Sequence, residues 1–478
     1  MTEDCSFLEA LDLAGEVAFG ESARSSHAGD WGTTEDERVE PEAVVFAEST
    51  ADVSAVLSAA DERGIPVTPY AAGTGLEANA TPVYGGISLD LTRMDEILDV
   101  RPDDFQVDVE AGILGSAVDE AVADHGLFFP PLPSSGDIST VGGMIATDAS
   151  GMQTVKYGEV ADWVLELEAV LADGSVVTAG SKAVKTSSGY NLKELLVGSE
   201  GTLGVVTRAT LRLSGRPRQI HGGRALFENL DAATSAISDA VRSGVDVAKI
   251  ELLDATSAKM ANDYSGTDLP DVPMAFLEFH ADHNVSEEIE FCRSVFEAHD
   301  LRGFEVAAHD AGMAELWQAR KDLTFAMESH DPDLRPLHPG DVTVPISRYP
   351  EIVRHARSVA EEFDLIIPCF GHAGDGNLHY AVLVDQSDDE MVARAKAANE
   401  RIVRKALDLG GTATGEHGIG TGKREYLVAE HGEATVEAMR RLKHALDPND
   451  TLNPGKIFPE TAEGERVRRP RSGDEPRN

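Results

Sequence analysis

Three stretches rich in glycine, serine and threonine, each lying between predicted strands, constrain the fold of this 478-residue chain most. They are AAGTGLEANATP at 71–82, PPLPSSGDISTVGGMIATDASG at 130–151 and LLVGSEGTLGVV at 195–206. The first has the spacing of a Rossmann dinucleotide fingerprint, but the Asn, Thr, Pro and paired Gly residues that follow prevent the helix that such a fingerprint must open. Each stretch instead gathers unobstructed backbone amides, as binding of an anion such as a diphosphate requires.

Hydrophobic periodicity predicts an α+β fold in two domains. Residues 43–70 have the pattern of a strand, a helix capped by Ser49 and a second strand, and short strands dominate from 86 to 213. A polar boundary at 214–219 separates the expected domains, 37–216 and 217–459. The second half mixes strands such as MAFLEFHA with helices such as 391–409, and the tail at 460–478 has little to bury and is expected to be disordered.

Charge and cysteine content exclude several classes of protein. The chain has 84 acidic and 41 basic residues, a formal charge of −43, which disfavours binding to nucleic acid. This excess resembles the surface of halophilic proteins, where salt screens self-repulsion; an acidic docking surface is the alternative. Cys5, Cys292 and Cys369 are too few and too scattered for a disulfide framework or an iron–sulfur centre. We expect a cytoplasmic protein without a transmembrane segment, any membrane association being peripheral at the inner face.

The first half resembles a known flavoprotein family. PYAAGTGLE, PPLPSSGDISTVGG, YGEVADWVLELEAVLADG and VGSEGTLGVVTRATLRL occur in this order and are similar to the FAD-binding domain of vanillyl-alcohol-oxidase-type flavoproteins. The resemblance implies backbone contacts to FAD from Ala72, Gly73, Thr74, Gly75, Ser134, Ser135, Thr140, Gly143, Glu200, Gly201 and Gly204. Covalent members attach FAD through a His in or near these loops. None of the three loops contains His, so we expect non-covalent FAD.

The second half contains a candidate metal site. LIIPCFGHAGDGNLHYAVLV at 365–384 predicts two strands joined by a loop whose ends bring His372 and His379 together, with Asp375 and Asn377 holding the loop. Downstream, GGTATGEHGIG offers Glu416 and a further histidine, His417. Two imidazoles and one carboxylate suit zinc, manganese or iron with positions left for substrate. Taken singly, each histidine is more often an ordinary loop residue.

GHAGDGNLH, GEHGIG and LDPNDTLNPGKIF resemble the D-lactate, glycolate and D-2-hydroxyglutarate dehydrogenase group of the same family. The resemblance implies His372, His379 and Glu416 as ligands of a divalent metal, zinc first, and His417 as general base.

The segment WQARKDLT is similar to the one that in relatives lies over the substrate carboxylate, which implies roles for Trp317, Arg320 and Thr324. Arg320 and Thr324 would lie one helical turn apart and face the same oxygens. The alternative for Arg320 is a solvated helix residue. Pro339 stands where 2-hydroxyglutarate members carry Lys, which disfavours a second substrate carboxylate.

These features predict an enzyme that oxidises a small D-2-hydroxy acid, D-lactate or glycolate, to the 2-oxo acid. In that mechanism the metal binds the hydroxyl and a carboxylate oxygen, His417 removes the hydroxyl proton, and hydride passes to flavin N5. Electrons then leave to an external quinone, cytochrome or electron-transfer flavoprotein, and family habit suggests a homodimer. The alternatives are D-2-hydroxyglutarate as substrate, a non-redox transferase like alkylglycerone-phosphate synthase, and a metal-dependent hydrolase.

Overall fold

The computed structural model describes residues 4–308 and 311–459, and these residues form four sheets. The first sheet has the order β1-β2-β4-β3, in which β4 pairs in parallel with both β2 and β3. Its elements are β1 Glu16–Ala18, α1 Glu21–Ser26, β2 Ala43–Phe46, α2 Thr50–Asp61, β3 Val67–Tyr70 and β4 Ile87–Asp90. The predicted strand, helix and strand at 43–70 are confirmed, and the Ser49 hydroxyl accepts the Asp52 amide at 3.2 Å as the predicted cap.

The second sheet is antiparallel, with the order β5-β6-β10-β8-β9, and beside it β7 pairs with β11. The strands are β5 Ile97–Arg101, β6 Gln106–Glu110, β7 Leu127–Phe128, β8 Val164–Val170, β9 Val176–Gly180, β10 Val205–Arg212 and β11 Ser214–Gly215. The helices are α3 Gly115–Ala123, α4 Val141–Thr147, α5 Thr154–Tyr157 and α6 Leu192–Leu196.

The expectation that short strands dominate this region is incomplete, because four helices interrupt it. One of them, α4, begins inside the second glycine-rich stretch, where the sequence had indicated only a loop. It forms because the Thr140 hydroxyl caps it, accepting the Gly143 amide at 3.2 Å, while Met144 and Ile145 pack into the core. No helix follows the first glycine-rich stretch within residues 71–86, which confirms that it is not a Rossmann loop.

The remaining sheet has seven antiparallel strands in the order β15-β12-β14-β13-β17-β18-β16. The strands are β12 Gln219–Phe227, β13 Lys249–Leu253, β14 Met274–Ala281, β15 Leu301–Ala308, β16 Arg335–Thr343, β17 Cys369–Gly371 and β18 Asn377–Val384. The helices are α7 Leu230–Arg242, α8 Ala255–Ser265, α9 Val285–Phe296, α10 Ala311–Lys321, α11 Leu323–Ser329, α12 Tyr349–Phe363, α13 Asp389–Asp408, α14 Leu427–His431 and α15 Glu433–Leu446. The strand predicted from MAFLEFHA and the helix predicted at 391–409 are both confirmed.

The two faces of this sheet bury different residues. Alternate side chains such as Ile250 and Leu252 pack against α7, α9, α12 and α13 in the main core of this half. The opposite face carries Leu253, Phe276 and Phe370, which pack with Trp317 of α10 and with Met152 from the first half of the chain. We call this second side the inner face; it is where the polar residues considered below lie.

The α+β class is confirmed, whereas the exact domain limits, 37–216 and 217–459, stay a prediction. The tail at 460–478 lies outside the described residues. Among the helices that the structure describes, none is both long and apolar enough to cross a bilayer.

Candidate active site

The three glycine-rich loops meet in one place. A Cβ built on Gly143, at the start of α4, would lie 3.3 Å from the Ala71 Cβ of the first loop. The Thr74 hydroxyl lies 3.1 Å from that of Ser139, which in turn donates to Ser135 at 2.8 Å. The first and second loops are therefore held side by side.

The third loop closes this arrangement. The Glu200 amide donates to the carbonyl of Ala146 in α4 at 2.7 Å, and a Cβ on Gly201 would lie 2.9 Å from Pro69 in β3. Both residues have positive φ, +52° for Glu200 and +68° for Gly201. This left-handed turn brings the loop against the other two.

The loops fit a diphosphate-bearing cofactor. None of the hydrogen bonds among the described residues uses the amides of Ala72, Gly73 or Thr74, so these amides remain available to an anion. Two of the residues predicted to contact FAD also contact other parts of the protein. Gly204 lies against Leu196 and Val170 inside the domain, and the Glu200 side chain accepts a hydrogen bond from the amide of Ile419.

The predicted metal ligands converge on the inner face. Glu416 Oε1 lies 3.2 Å from His372 Nε2 and 3.1 Å from His379 Nε2, and the two rings are perpendicular with centroids 4.9 Å apart. All three side chains are largely buried. Burial alone would raise the pKa of Glu416, but the two imidazoles hold it well below its usual range. The donor set fits a divalent cation, since two imidazole nitrogens and one carboxylate face a common point.

A second group of possible ligands, Asp341, His379 and His417, has similar spacing but a different character. The Nζ of Lys423 lies 3.5 Å from Asp341 Oδ2 and 3.1 Å from Glu77 Oε1, so an ammonium already supplies the positive charge. Asp341 Oδ2 also accepts four hydrogen bonds, from the Thr414 hydroxyl and the amides of 415–417, at 2.8–3.1 Å. With its lone pairs used in this way, Asp341 is a poor metal ligand.

Those hydrogen bonds fix the loop that carries His417. Its ring stacks on His379 at 5.4 Å with an interplanar angle of 13°. Nδ1 lies 3.8 Å from Asp341 and 3.9 Å from Glu77. Burial lowers the pKa of His417, but the carboxylates of Asp341, Glu77 and Glu416 together outweigh this effect and the pKa lies above its usual value. Glu416 and His417 thus face different groups.

Arg320 is buried rather than solvated, with 4% of its surface exposed. Its Nε donates to Glu251 Oε2 at 2.8 Å, Nη2 lies 2.6 Å from the same oxygen, and the guanidinium packs 5.0 Å above the Phe370 ring. Trp317 is also buried, in contact with Phe276.

Arg320 and Thr324 do not lie on one continuous helix, as the prediction of one helical turn between them required. Helix α10 ends at Lys321, and α11 begins at Leu323 after Asp322. Thr324 is exposed.

Several residues of the site were not found from the sequence. Glu251 accepts from Nδ1 of His372 at 2.7 Å, and the Ser150 hydroxyl donates to Glu416 at 3.0 Å. Asp375 holds its own loop as predicted, accepting the amide of Asn377, but the Asn377 side chain donates to Asp341 at 2.7 Å instead. A glutamate inside the apolar strand KIELL was the available signal for Glu251, since buried carboxylates require partners.

The two halves are joined beside His417 by Glu200. Its carboxylate accepts the amides of Ile419 at 2.7 Å and Gly420 at 2.8 Å, and the Asn79 side chain at 2.6 Å. This ties the glycine-rich loops to the segment that carries the histidine.

Comparison with protein families matches an FAD binding domain at residues 41–180 and the C-terminal domain of FAD-linked oxidases at 216–457. The chain is 36% identical over 450 residues to a probable mitochondrial D-lactate dehydrogenase of Danio rerio, covering 92% of this chain and 89% of that protein. The chain belongs to the FAD-linked oxidase family. A second member, the glycolate oxidase subunit GlcD of Bacillus subtilis, is 34% identical and covers 95% of this chain and 97% of its own length.

As an FAD-linked oxidase the chain is an FAD-binding enzyme, and its predicted fold type is confirmed. The structure of 4-ethylphenol oxidase from Gulosibacter chungangensis has a TM-score of 0.72 and 19% identity, covering 93% of this chain and 94% of that protein. This similarity concerns the fold alone.

Proposed function

We propose that this FAD-linked oxidase oxidises a small 2-hydroxy acid, D-lactate or glycolate, to the 2-oxo acid. The observation that carries the proposal is the convergence of His372, His379 and Glu416, with His417 and Arg320 beside them, on the inner face. The names of the two relatives, D-lactate dehydrogenase and glycolate oxidase, support the same substrate class.

FAD held by the three loops supplies a two-electron acceptor, and a divalent metal held by His372, His379 and Glu416 supplies a Lewis acid that acidifies the substrate hydroxyl. Zinc is the first candidate, with manganese and iron as alternatives, because all three accept imidazole and carboxylate ligands. The FAD is non-covalent, since the three loops contain no His.

His417 is the proposed base for the hydroxyl proton. Asp341, together with Glu77, faces one edge of its ring within 3.9 Å, so a proton taken up by the imidazole is stabilised by these carboxylates. The Lys423 ammonium offsets part of that negative charge. Because Asp341 also holds the backbone of the loop, the ring has little freedom to turn away.

Arg320 is the proposed group for the substrate carboxylate, since a guanidinium can bind two oxygens at once. Thr324, which is exposed, has no part in this proposal.

Pro339 pairs with Ala381 across β16 and β18, and cross-strand partners point to the same side of a sheet. Ala381 belongs to the inner face, so Pro339 points to the inner face as well. Relatives that use 2-hydroxyglutarate have a Lys at the position of Pro339, and this chain therefore lacks that cation beside the site. A monocarboxylate is therefore the favoured substrate.

Reduced FAD has to pass its electrons to an external acceptor, because the three free cysteines of this chain are buried and far too few for an iron–sulfur centre. A quinone, a cytochrome or an electron-transfer flavoprotein is the proposed acceptor. The formal charge of −43 further supports a halophilic protein that works in high salt.

The test is an anaerobic absorption spectrum in high salt, before and after separate additions of D-lactate, L-lactate, glycolate and D-2-hydroxyglutarate. We expect D-lactate or glycolate to bleach the flavin band, and a chelator to prevent the bleaching until zinc or manganese is restored. Bleaching by D-2-hydroxyglutarate alone would move the substrate to a dicarboxylate. A yellow protein that none of the acids bleaches would favour the transferase, and a colourless, metal-loaded protein would favour the hydrolase.

A further inference from the structure

The carboxylate of Glu251 contacts both a proposed metal ligand and the proposed carboxylate-binding residue. Its side chain, in β13, has no exposed surface. Oε1 accepts from His372 Nδ1 at 2.7 Å, and Oε2 accepts from Arg320 Nε at 2.8 Å. Each oxygen of Glu251 therefore serves a different partner, one a proposed metal ligand and the other the proposed carboxylate-binding residue.

The contact with His372 determines which ring nitrogen can bind a cation. A carboxylate at Nδ1 keeps the proton on that nitrogen, so the lone pair of Nε2 is directed to the point shared with His379 and Glu416. Without the carboxylate, the His372 ring can turn or exchange tautomers. Metal binding must then also fix the ring in one orientation and one tautomer, which weakens the observed affinity for the metal.

The contact with Arg320 fixes a guanidinium that has unused donors. Phe370 lies 5.0 Å from it on one side, and Glu251 holds its Nε edge. Nη2 is buried and ion-paired with Glu251 Oε2 at 2.6 Å, but it is not aligned for a hydrogen bond to any group within the described ranges. A substrate carboxylate is the kind of group that would accept the hydrogen bonds that this guanidinium does not make to Glu251.

We propose that Glu251 is a positioning residue that aligns the metal ligand His372 and the carboxylate-binding Arg320 with each other. This inference rests on the proposed function and adds a residue to it. Because the two oxygens belong to one rigid carboxylate, any displacement of Glu251 moves both partners together. The metal and the substrate carboxylate are consequently held at a fixed separation, as a small 2-hydroxy acid that bridges them requires.

The neighbouring strand provides a matched control. Glu278 in β14 is also buried, with 5% of its side chain exposed, and it also binds a histidine and a cation. Its oxygen lies 2.8 Å from His280 Nε2 and 2.9 Å from Lys249 Nζ. His280 is not among the proposed metal ligands, so a Glu278→Gln variant reproduces the loss of a buried charge without removing a contact to any proposed metal ligand or to Arg320.

The experiment compares wild type, Glu251→Gln and Glu278→Gln, each as chelator-treated holo-flavoprotein. Calorimetric titration with Zn²⁺, and separately with Mn²⁺, gives the metal Kd. We expect Glu251→Gln to weaken metal binding by about 10- to 100-fold, the usual effect of losing such a partner, and Glu278→Gln to leave it unchanged. At saturating metal, anaerobic flavin reduction by D-lactate or glycolate should still show a raised half-saturating concentration in Glu251→Gln, because Arg320 has lost its partner.

The outcomes separate the two proposals. If wild type binds metal and is reduced, and Glu251→Gln matches it in both measurements, Glu251 is not a positioning residue. Equal losses in Glu251→Gln and Glu278→Gln would also overturn the inference, since they would show a general effect on stability. If wild type binds no metal and no hydroxy acid reduces it, the proposed function fails and this inference fails with it.

A Glu251→Asp variant covers the case in which Glu251→Gln does not fold. It keeps the charge but is one methylene shorter, so it cannot reach both partners at once. We expect it to retain either the metal Kd or the half-saturating concentration, but not both; retention of both would contradict the inference.

Discussion

Replacing Asp341 by Asn should strongly destabilise the second half of the chain. The carboxylate is fully buried, its Oδ2 accepts four hydrogen bonds from 414–417, and its Oδ1 accepts one from Asn377. Burial raises the pKa of Asp341, but His417, Lys423, His379 and the hydrogen bond from the Glu416 amide together outweigh burial and hold it well below its usual range, so the residue is charged at neutral pH. The Asn variant can keep the same shape without the charge.

The size of the effect follows from the hydrogen bonds. A bond to a charged acceptor is worth about 1 kcal/mol more than one to a neutral acceptor, so the four bonds to Oδ2 together predict a loss of about 4 kcal/mol. This agrees with the roughly 3–5 kcal/mol expected when a buried ion pair such as that with Lys423 is broken. For a domain of this size, each kcal/mol lowers Tm by about 2–4 °C, so we expect a fall of about 8–16 °C.

The matched control is Asp375→Asn. Asp375 is partly buried, and desolvation raises its pKa to about 7, so this carboxyl is already largely neutral slightly below pH 7 and its replacement should lower Tm far less. Thermal unfolding of chelator-treated proteins at pH 6.5, followed by circular dichroism and by flavin fluorescence, measures both variants. Equal shifts for Asp341→Asn and Asp375→Asn would refute the reasoning, because burial alone would then explain them.

Three further predictions follow from the same structure. His417→Ala should stay yellow and bind metal, while flavin reduction by the hydroxy acid slows by about 10²-fold or more; reduction at the wild-type rate would exclude His417 as the base. Because the folded pKa of Asp375 is raised from 3.8 to about 7, the folded state binds a proton that the unfolded chain has released, so wild type should lose stability relative to Asp375→Asn as pH rises from 4 to 7. A Tm difference that is constant over this pH range would contradict that assignment. Finally, the formal charge of −43 should make Tm rise markedly from about 0.1 M to about 2 M KCl, and an unchanged Tm would contradict a halophilic protein.

The sequence allowed prediction of those parts of the fold that local patterns determine. Ser49 and the apolar residues after it are a local signal for a helix, and α2 begins where that signal indicates. The glycines around His372 and His379 likewise indicate a hairpin, and β17 and β18 pair so that Phe370 lies opposite His379. In both cases the interacting residues are close in the chain, so spacing alone predicts the geometry.

The parts that were missed depend on contacts between distant residues. Glu251 lies 121 positions from His372 and 69 from Arg320, and no spacing rule relates residues so far apart. The same holds for Asp341 and the loop at 414–417, which meet where Thr412 bridges to Thr343 at the end of β16. The break between α10 and α11 was missed for another reason, since WQARKDLT contains no glycine or proline to indicate it.

The hydrogen bonds that Glu200 accepts from Ile419 and Gly420 affect what happens when chimeric proteins are made from two members of this family. A crossover near residue 216 takes the two complete family domains from different parents, and each keeps most of its hydrophobic core, although Met152 and Leu452 pack across the division. It nevertheless separates the Glu200 carboxylate from the two amides that it accepts. Hybrids should therefore express as folded, yellow proteins that are inactive, unless the glycine-rich turn at 418–420 and the loop around residue 200 come from the same parent.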